Sequence, residues 1–439
     1  MEFTALQITG IMFLSALALI GTGLPIVYCL GSVGTLSAIF LWGEGALDTV
    51  YFATLDLGSN IVLVVCPLFM FMGFVLHESR IAKDLFDAVY VWSGRLRGAL
   101  GIGTMMICAL MAAMLGVSSA TVLSMGIIAV PAMLAHKYDK KLAVGIVMAG
   151  GTLGFLIPPS MIMVMYAFIT GTSVGRLFAG GVVPGLMLAG IYMLYVGILA
   201  WLKPEKAPAL PEEEQVPFKV KLKSLNALLM PCALIFSVMG CIFGGVTTPT
   251  EAAAIGATGA IVLAIIKRRF SWKMVHAALV QTFALSGFVA FVVIASLIFS
   301  KVYTGLGATV MLKRQIIEIG ANPLLVMAFI QLTFIILGCF IDDIAILFMT
   351  MPIYYPIVTA LGFDPVWFGV LFIVNIQMAY ITPPYGLNMF YMKAVAPDNV
   401  SLRDIYWAVI PFLFMQFLFL ILCTLCPGII TWLPNLIFG

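Results

Sequence analysis

Two adjacent carboxylates, Asp342 and Asp343, stand in the middle of a run that is otherwise apolar from Pro323 to Gly362. A charged group at the depth of a bilayer costs several kcal/mol and is retained where it does chemistry: holding a cation, carrying a proton or lining a path. A second polar patch, Gly116-Val-Ser-Ser-Ala-Thr121, interrupts the 39 residues between Arg97 and Lys137. Its hydroxyls are hard oxygen donors of the kind an alkali or alkaline-earth ion prefers. Each patch also has a plainer reading. Small residues permit close helix packing in lipid, and an aspartate at a helix start caps it.

Other chemistry is excluded by what the chain lacks. It has 439 residues, 63% hydrophobic and only 9% charged, with a mean hydropathy of +1.16, which describes a polytopic membrane protein. A net charge of +3 and the absence of a GxxxxGK[ST] loop give no nucleic-acid surface and no ATP site. The eight cysteines lie within apolar runs and read as small hydrophobes. The three histidines, His77, His136 and His276, sit beside charged loop residues, so neither an enzyme nor a cofactor is expected. Met1-Glu-Phe-Thr has no basic signal region, and the first helix is expected to be retained.

The elements that must position the polar patches follow from run length. Full crossings are expected near 5–22, 25–42, 61–77, 177–201, 225–243, 250–266, 278–299 and 405–426. Residues 98–136 are too short for two comfortable crossings, and Arg95, Arg97, Lys137, Lys140 and Lys141 place basic charge at both ends. Basic ends stay cytoplasmic, so the segment reads as a re-entrant hairpin with its polar tip lining a cavity. Residues 323–362 repeat the pattern around Gly338-Cys-Phe-Ile-Asp-Asp343. Each hairpin precedes a helix broken by tandem prolines: 142–170, with Gly150-Gly-Thr-Leu-Gly-Phe-Leu-Ile-Pro-Pro-Ser160, and 365–395, with Asn375-Ile-Gln-Met-Ala-Tyr-Ile-Thr-Pro-Pro-Tyr-Gly386. Prolines remove donors and clash with the preceding turn, which frees carbonyls at mid-membrane.

With both termini periplasmic and the hairpins not crossing, eighteen of the 22 Lys and Arg residues fall on the cytoplasmic side, as the charge rule requires. The expected division is then 1–60 as N-terminal scaffold helices and 61–201 as the first inverted repeat. A cytoplasmic linker with central scaffold helices covers 202–277, the second inverted repeat 278–427, and a periplasmic tail 428–439. The segments 78–97 and 301–320 read as amphipathic arms on opposite surfaces. Thr250 is the expected cap, and Glu251 a structural first-turn acid, in Gly244-Gly-Val-Thr-Thr-Pro-Thr-Glu251.

Inverted repeats with discontinuous helices point to a secondary transporter whose sites lie at the repeat interface. Two Na⁺ sites are the economical expectation. Ser118, Ser119 and Thr121 with Gly150, Gly151, Thr152 and Gly154 would form the first. Asp342 and Asp343 with Gly338, Tyr380 and Thr382 would form the second, with Asn375, Gln377 and Asn388 adding nearby oxygens. Pro158, Pro159, Ser160, Asn375, Pro383, Pro384 and Asn388 mark the breaks where substrate would sit. No Lys or Arg lies at an apex or a break, so the residue meeting a substrate carboxylate is not identified, and helix N-termini are candidates.

Three motifs in this order, Gly-Thr-Leu-Gly-Phe-Leu-Ile-Pro-Pro-Ser at 151–160, Gly-Gly-Val-Thr-Thr-Pro-Thr-Glu-Ala-Ala-Ala at 244–254 and Ile-Thr-Pro-Pro-Tyr-Gly-Leu-Asn at 381–388, resemble the large membrane subunit of tripartite ATP-independent periplasmic (TRAP) transporters over essentially the whole chain. The resemblance implies an all-helical, elevator-type ion-transporter fold. It also implies Na⁺-coupled import of an organic acid across the bacterial inner membrane. A separate small four-helix membrane subunit and a soluble periplasmic binding protein are the implied partners. Dicarboxylate, sialic or other sugar acid, and ectoine-like zwitterion remain open as cargo. Met378-Ala-Tyr380 departs from the small residues that the family often has at the second break. The alternative is a stand-alone Na⁺-coupled anion symporter of the wider superfamily, needing no binding protein.

Overall fold

A computed structural model describes residues 4–59, 61–94, 96–211, 216–384 and 386–439. Arg95, Tyr385 and the first three residues, named above, lie outside the described residues. Within lipid every backbone polar group must be satisfied inside the protein. The described residues accordingly form helices and no strand. Among them, eight helices are long and apolar enough to cross a membrane, from Ile61–Glu78 to Leu402–Leu425, and seven shorter apolar helices accompany them.

The first hairpin runs Ala99–Leu115, turns at Gly116 and Val117, and returns as Ser118–Ala135. The second runs Pro323–Gly338, turns over residues 339–342 and returns as Asp343–Ala360. Each is followed by an interrupted helix. One is Lys140–Thr152, a short 3-10 turn at Leu153–Phe155, then Met161–Thr170. The other is Pro365–Ala379, then Leu387–Val395. Both tandem-proline bonds, Pro158–Pro159 and Pro383–Pro384, are cis.

Glycines set how closely these parts meet. Gly116 has φ +62°, and a Cβ there would lie 2.8 Å from the Pro159 carbonyl oxygen, so the hairpin tip rests directly on the first break. A Cβ on Gly338 would fall 2.3 Å from that of Ala379, which brings the second hairpin equally close to its own interrupted helix. A further helix, Trp272–Gly305, packs against Ile26–Ser37, Val65–Glu78 and the return leg of the second hairpin. Pro249–Ile266 packs on Val65–Glu78.

Several expectations are corrected. The cap of Pro249–Ile266 is Thr248, which forms a capping box with Glu251. Thr250 lies inside the first turn, because Pro249 already supplies the fixed φ of a first helical residue. Residues 301–305 continue the helix that begins at Trp272, and the second arm is Ala308–Glu318. Residues 428–439 are not a tail: Gly428–Phe438 is a helix packed on Val174–Leu202, and the Arg176 guanidinium donates to the carbonyls of Phe438 (3.3 Å) and Gly439 (3.1 Å). A helix at Leu47–Ser59 was not anticipated. The polar linker holds a short helix, Phe218–Ser224. It also closes the base of the first hairpin, where Gly98 N–H donates to Ala207 O (3.0 Å) and Asp139 N–H to Lys206 O (2.9 Å).

Candidate functional site

At the first apex the chain must turn in an apolar setting, and the left-handed Gly116 with extended Val117 makes that turn. Ser118 then begins the return leg, fully buried. Its hydroxyl is met by a residue from the other half of the chain. The Asn388 side-chain N–H donates to Ser118 Oγ at 2.8 Å and to the Met148 carbonyl at 3.3 Å. Asn388 thus joins the second break to the first hairpin. Thr121 is buried, and its hydroxyl has no hydrogen-bond partner. Thr152 donates to Ala149 O (2.8 Å) and accepts from Gln416 (3.3 Å), while Ser160 donates to Phe155 O (2.6 Å). The Gly150 and Gly151 carbonyls accept from Leu153 N–H. Added Cβ atoms would lie 2.5 Å from Cys108 and 2.4 Å from Val122, so these two glycines are packing surfaces. Gly154 has ordinary clearance, 3.5 Å from the Val117 backbone.

The second apex is charged. Asp342 takes the N-cap position of the return leg without a side-chain capping bond. The Tyr380 hydroxyl lies 2.9 Å from Asp343 Oδ1 and 3.3 Å from Asp342 Oδ1. With one proton to donate, it serves two acids. Asp342 Oδ2 is buried and without a partner, and two acids share a site whose walls supply no cation. Thr382 turns back to Met378 O (2.8 Å) rather than toward the acids. Asn375 also points elsewhere, donating to Gln331 at 2.8 Å (Oε1) and 2.9 Å (O), with its own Oδ1 unpartnered. Gln377 is fully buried, and neither of its amide atoms has a partner.

Both apices open on one cavity of about 90 Å³. Gly116–Ser119 and Asp342–Ile344 form opposite walls, Phe155 and Tyr380 come from the two breaks, and Leu285, Phe288 and Val289 close it from helix Trp272–Gly305. The rings of Phe155 and Tyr380 meet edge to face, 4.6 Å between centroids. Among the described residues, no Lys, Arg or His lines the space. Three helices begin on its wall, at Ser118, Met161 and Asp343, and their unpaired N–H groups favour anions. Of the expected ion-site residues, Ser118, Ser119, Asp342, Asp343 and Tyr380 line this chamber, whereas Thr121, Gly150, Gly151, Thr152, Gly154, Gly338 and Thr382 do not. No cluster of three or more His, Cys, Asp or Glu side chains occurs among the described residues.

The sequence reading missed Gln331, Gln416 and Tyr391. Gln331 and Gln416 are polar residues inside apolar spans and could have been found by the criterion that singled out Asp342. Tyr391 follows Asn388 by one helical turn and lines the cavity.

An all-helical chain with paired interruptions meeting at one cavity is the architecture of a membrane transporter. A crystal structure of the Alcanivorax borkumensis YdaH transporter has the same fold, with a TM-score of 0.64, 15% identity and coverage of 97% of this chain and 99% of that one. Residues 13–429 match the family model described as the DctM component of the tripartite ATP-independent periplasmic transporter, and the chain belongs to that family. It is 34% identical to the C4-dicarboxylate TRAP transporter large permease protein DctM of Pseudomonas aeruginosa, over 92% of this chain and 93% of that one. It is 31% identical to the protein of the same name in Vibrio cholerae, over 98% of each chain. The chain is a multi-pass membrane permease subunit.

Proposed function

We propose that this subunit couples Na⁺ entry to the import of a small organic acid, a C4-dicarboxylate first, across the bacterial inner membrane. The observation that carries the reading is the shared cavity, with two carboxylates on one wall, three helix starts around it and no basic side chain. Two buried acids are compensated either by protons or by a cation, because an uncompensated charge at that depth is costly, and the reading takes Na⁺ as the compensating ion. Na⁺ held by Asp342 and Asp343 would neutralise them, and a second Na⁺ near Ser118, Ser119 and Thr121 would do the same for substrate charge beside the helix starts. C4-dicarboxylate is the cargo in the names of the Pseudomonas aeruginosa and Vibrio cholerae relatives described above.

In this reading the two hairpins and interrupted helices move as one transport domain against a scaffold. The scaffold comprises residues 1–60, Val65–Glu78, Asn226–Phe243, Pro249–Ile266 and Trp272–Gly305. The cavity lies between them, since its third wall comes from Trp272–Gly305. The arms Ile81–Ser93 and Ala308–Glu318 connect the two bodies. A small four-helix membrane subunit and a periplasmic binding protein complete the transporter, and both termini of this chain face the periplasm.

Uptake of succinate into proteoliposomes, with and without an inward Na⁺ gradient, tests the reading. We expect flux only when this chain, the small subunit and the binding protein are all present and Na⁺ is supplied. Na⁺-driven flux from this chain alone would make it a stand-alone symporter, and Na⁺-independent flux would remove the coupling.

A further inference from the structure

We propose that Tyr380 selects the cargo of this permease: its ring limits the length of acid the cavity accepts, and its hydroxyl holds Asp342 and Asp343 in one arrangement for the coupling ion. The inference rests on the transport reading above and deepens it.

Tyr380 is fixed at both sides of the second break. Its N–H donates to Ile376 O (3.1 Å), and its carbonyl accepts from Asn388 N–H (3.1 Å). The backbone therefore cannot swing the ring aside without losing the end of one helix and the start of the next. The ring abuts Phe155, which is 5% exposed and belongs to the first break. Together the two rings form a bar across the chamber, contributed by both halves of the chain.

What remains is small. About 90 Å³ is less than the roughly 150 Å³ of a cavity that takes up benzene. A compact four-carbon diacid needs modest further opening, whereas a nine-carbon sugar acid needs the bar removed. The departure noted at Met378-Ala-Tyr380 thus places a bulky side chain on the cavity wall, against Phe155.

The hydroxyl has a separate task. It reaches both Oδ1 atoms, at 2.9 and 3.3 Å, and leaves Asp342 Oδ2 buried and unbonded. Two acids drawn to a common donor present their remaining oxygens together, which is the geometry an oxygen-ligated cation needs.

Ring and hydroxyl are separable by substitution. Tyr380→Phe keeps the bar and removes the donor; Tyr380→Ala removes both, and Tyr380→Leu repeats the opening with a side chain that fills a core should the alanine variant not fold. The readout is ligand-induced thermal stabilisation of the purified permease with its small membrane subunit, without the binding protein, so that delivery does not set the specificity. The probes are succinate, adipate, N-acetylneuraminate and Na⁺. Wild type is expected to respond to succinate and not to N-acetylneuraminate. Tyr380→Ala or Tyr380→Leu should bring adipate half-saturation down by roughly tenfold, the scale on which a pocket discriminates one or two methylenes. Tyr380→Phe should keep the wild-type order of acids while Na⁺ half-saturation rises by roughly five- to tenfold, the loss of one hydrogen bond to a charged group. An unchanged order of acids in both opened variants, or an unchanged Na⁺ half-saturation in Tyr380→Phe, overturns the inference alone. A wild type stabilised by neither acid nor Na⁺ overturns the transport reading with it.

Discussion

The two hairpin tips occupy equivalent places against two proline breaks, yet one is neutral and the other carries two acids. At the first, Ser118 and the Met148 carbonyl are both met by the Asn388 amide, a residue from the opposite half of the chain. At the second, Asp342 and Asp343 share a single phenol, and one carboxylate oxygen is orphaned. An unpartnered buried hydroxyl such as that of Thr121 at the first apex costs far less than an uncompensated buried charge. A common backbone frame thus holds one apex lined by neutral oxygens and one lined by two carboxylates. Loading at the second would then be the event that changes the energetics of the whole chamber.

Asp343→Asn breaks that contrast most severely. It should lower Na⁺-driven succinate uptake by about two orders of magnitude, the scale of roughly 3 kcal/mol lost on removing one partner of a buried ionic interaction. Uptake measured across a Na⁺ titration checks it, and wild-type Na⁺ dependence in the variant would move the ion elsewhere. Asn388→Ala should cost less. It strips the donor from Ser118 and Met148, at about 1–3 kcal/mol for groups left unsatisfied. Na⁺ half-saturation should rise while the maximal rate is largely kept. A loss of maximal rate alone would mean that Asn388 serves the moving break rather than the first ion. The smallest effect sharpens the geometry. Gly116→Ala must fit a Cβ 2.8 Å from the Pro159 carbonyl at φ +62°, and should destabilise by about 1–3 kcal/mol. Gly154→Ala, with 3.5 Å of clearance, should stay within about 0.5 kcal/mol. Paired melting temperatures in detergent decide this, and equal values would mean that tip and break are not in contact.

The order of hairpins and broken helices was legible because each depends on local exceptions: polar tips in apolar runs, and prolines where a helix should continue. Asp342 and Asp343 were legible for the same reason. What escaped was partner choice. Nothing in the sequence says that Asn375 turns to Gln331, or that Asn388 crosses to Ser118, because those pairings join residues 44 and 270 positions apart. Helix Leu47–Ser59 escaped because Asp48, Thr49, Thr54 and Asp56 dilute its hydrophobicity. Gly428–Phe438 escaped because it is short and contains Pro434. The cap at Thr248 was misplaced by two residues, since Thr248 and Thr250 flank Pro249 and both types cap well.

Helix Trp272–Gly305 has 34 residues, which at 1.5 Å each is about 51 Å, against a hydrocarbon slab of about 30 Å. A rod that exceeds its slab accommodates by leaning, and the lean follows the thickness of the slab. Leu285, Phe288 and Val289 sit near the midpoint of that rod and form one wall of the chamber. Acyl-chain length in the surrounding lipid is therefore expected to change the tilt of that wall.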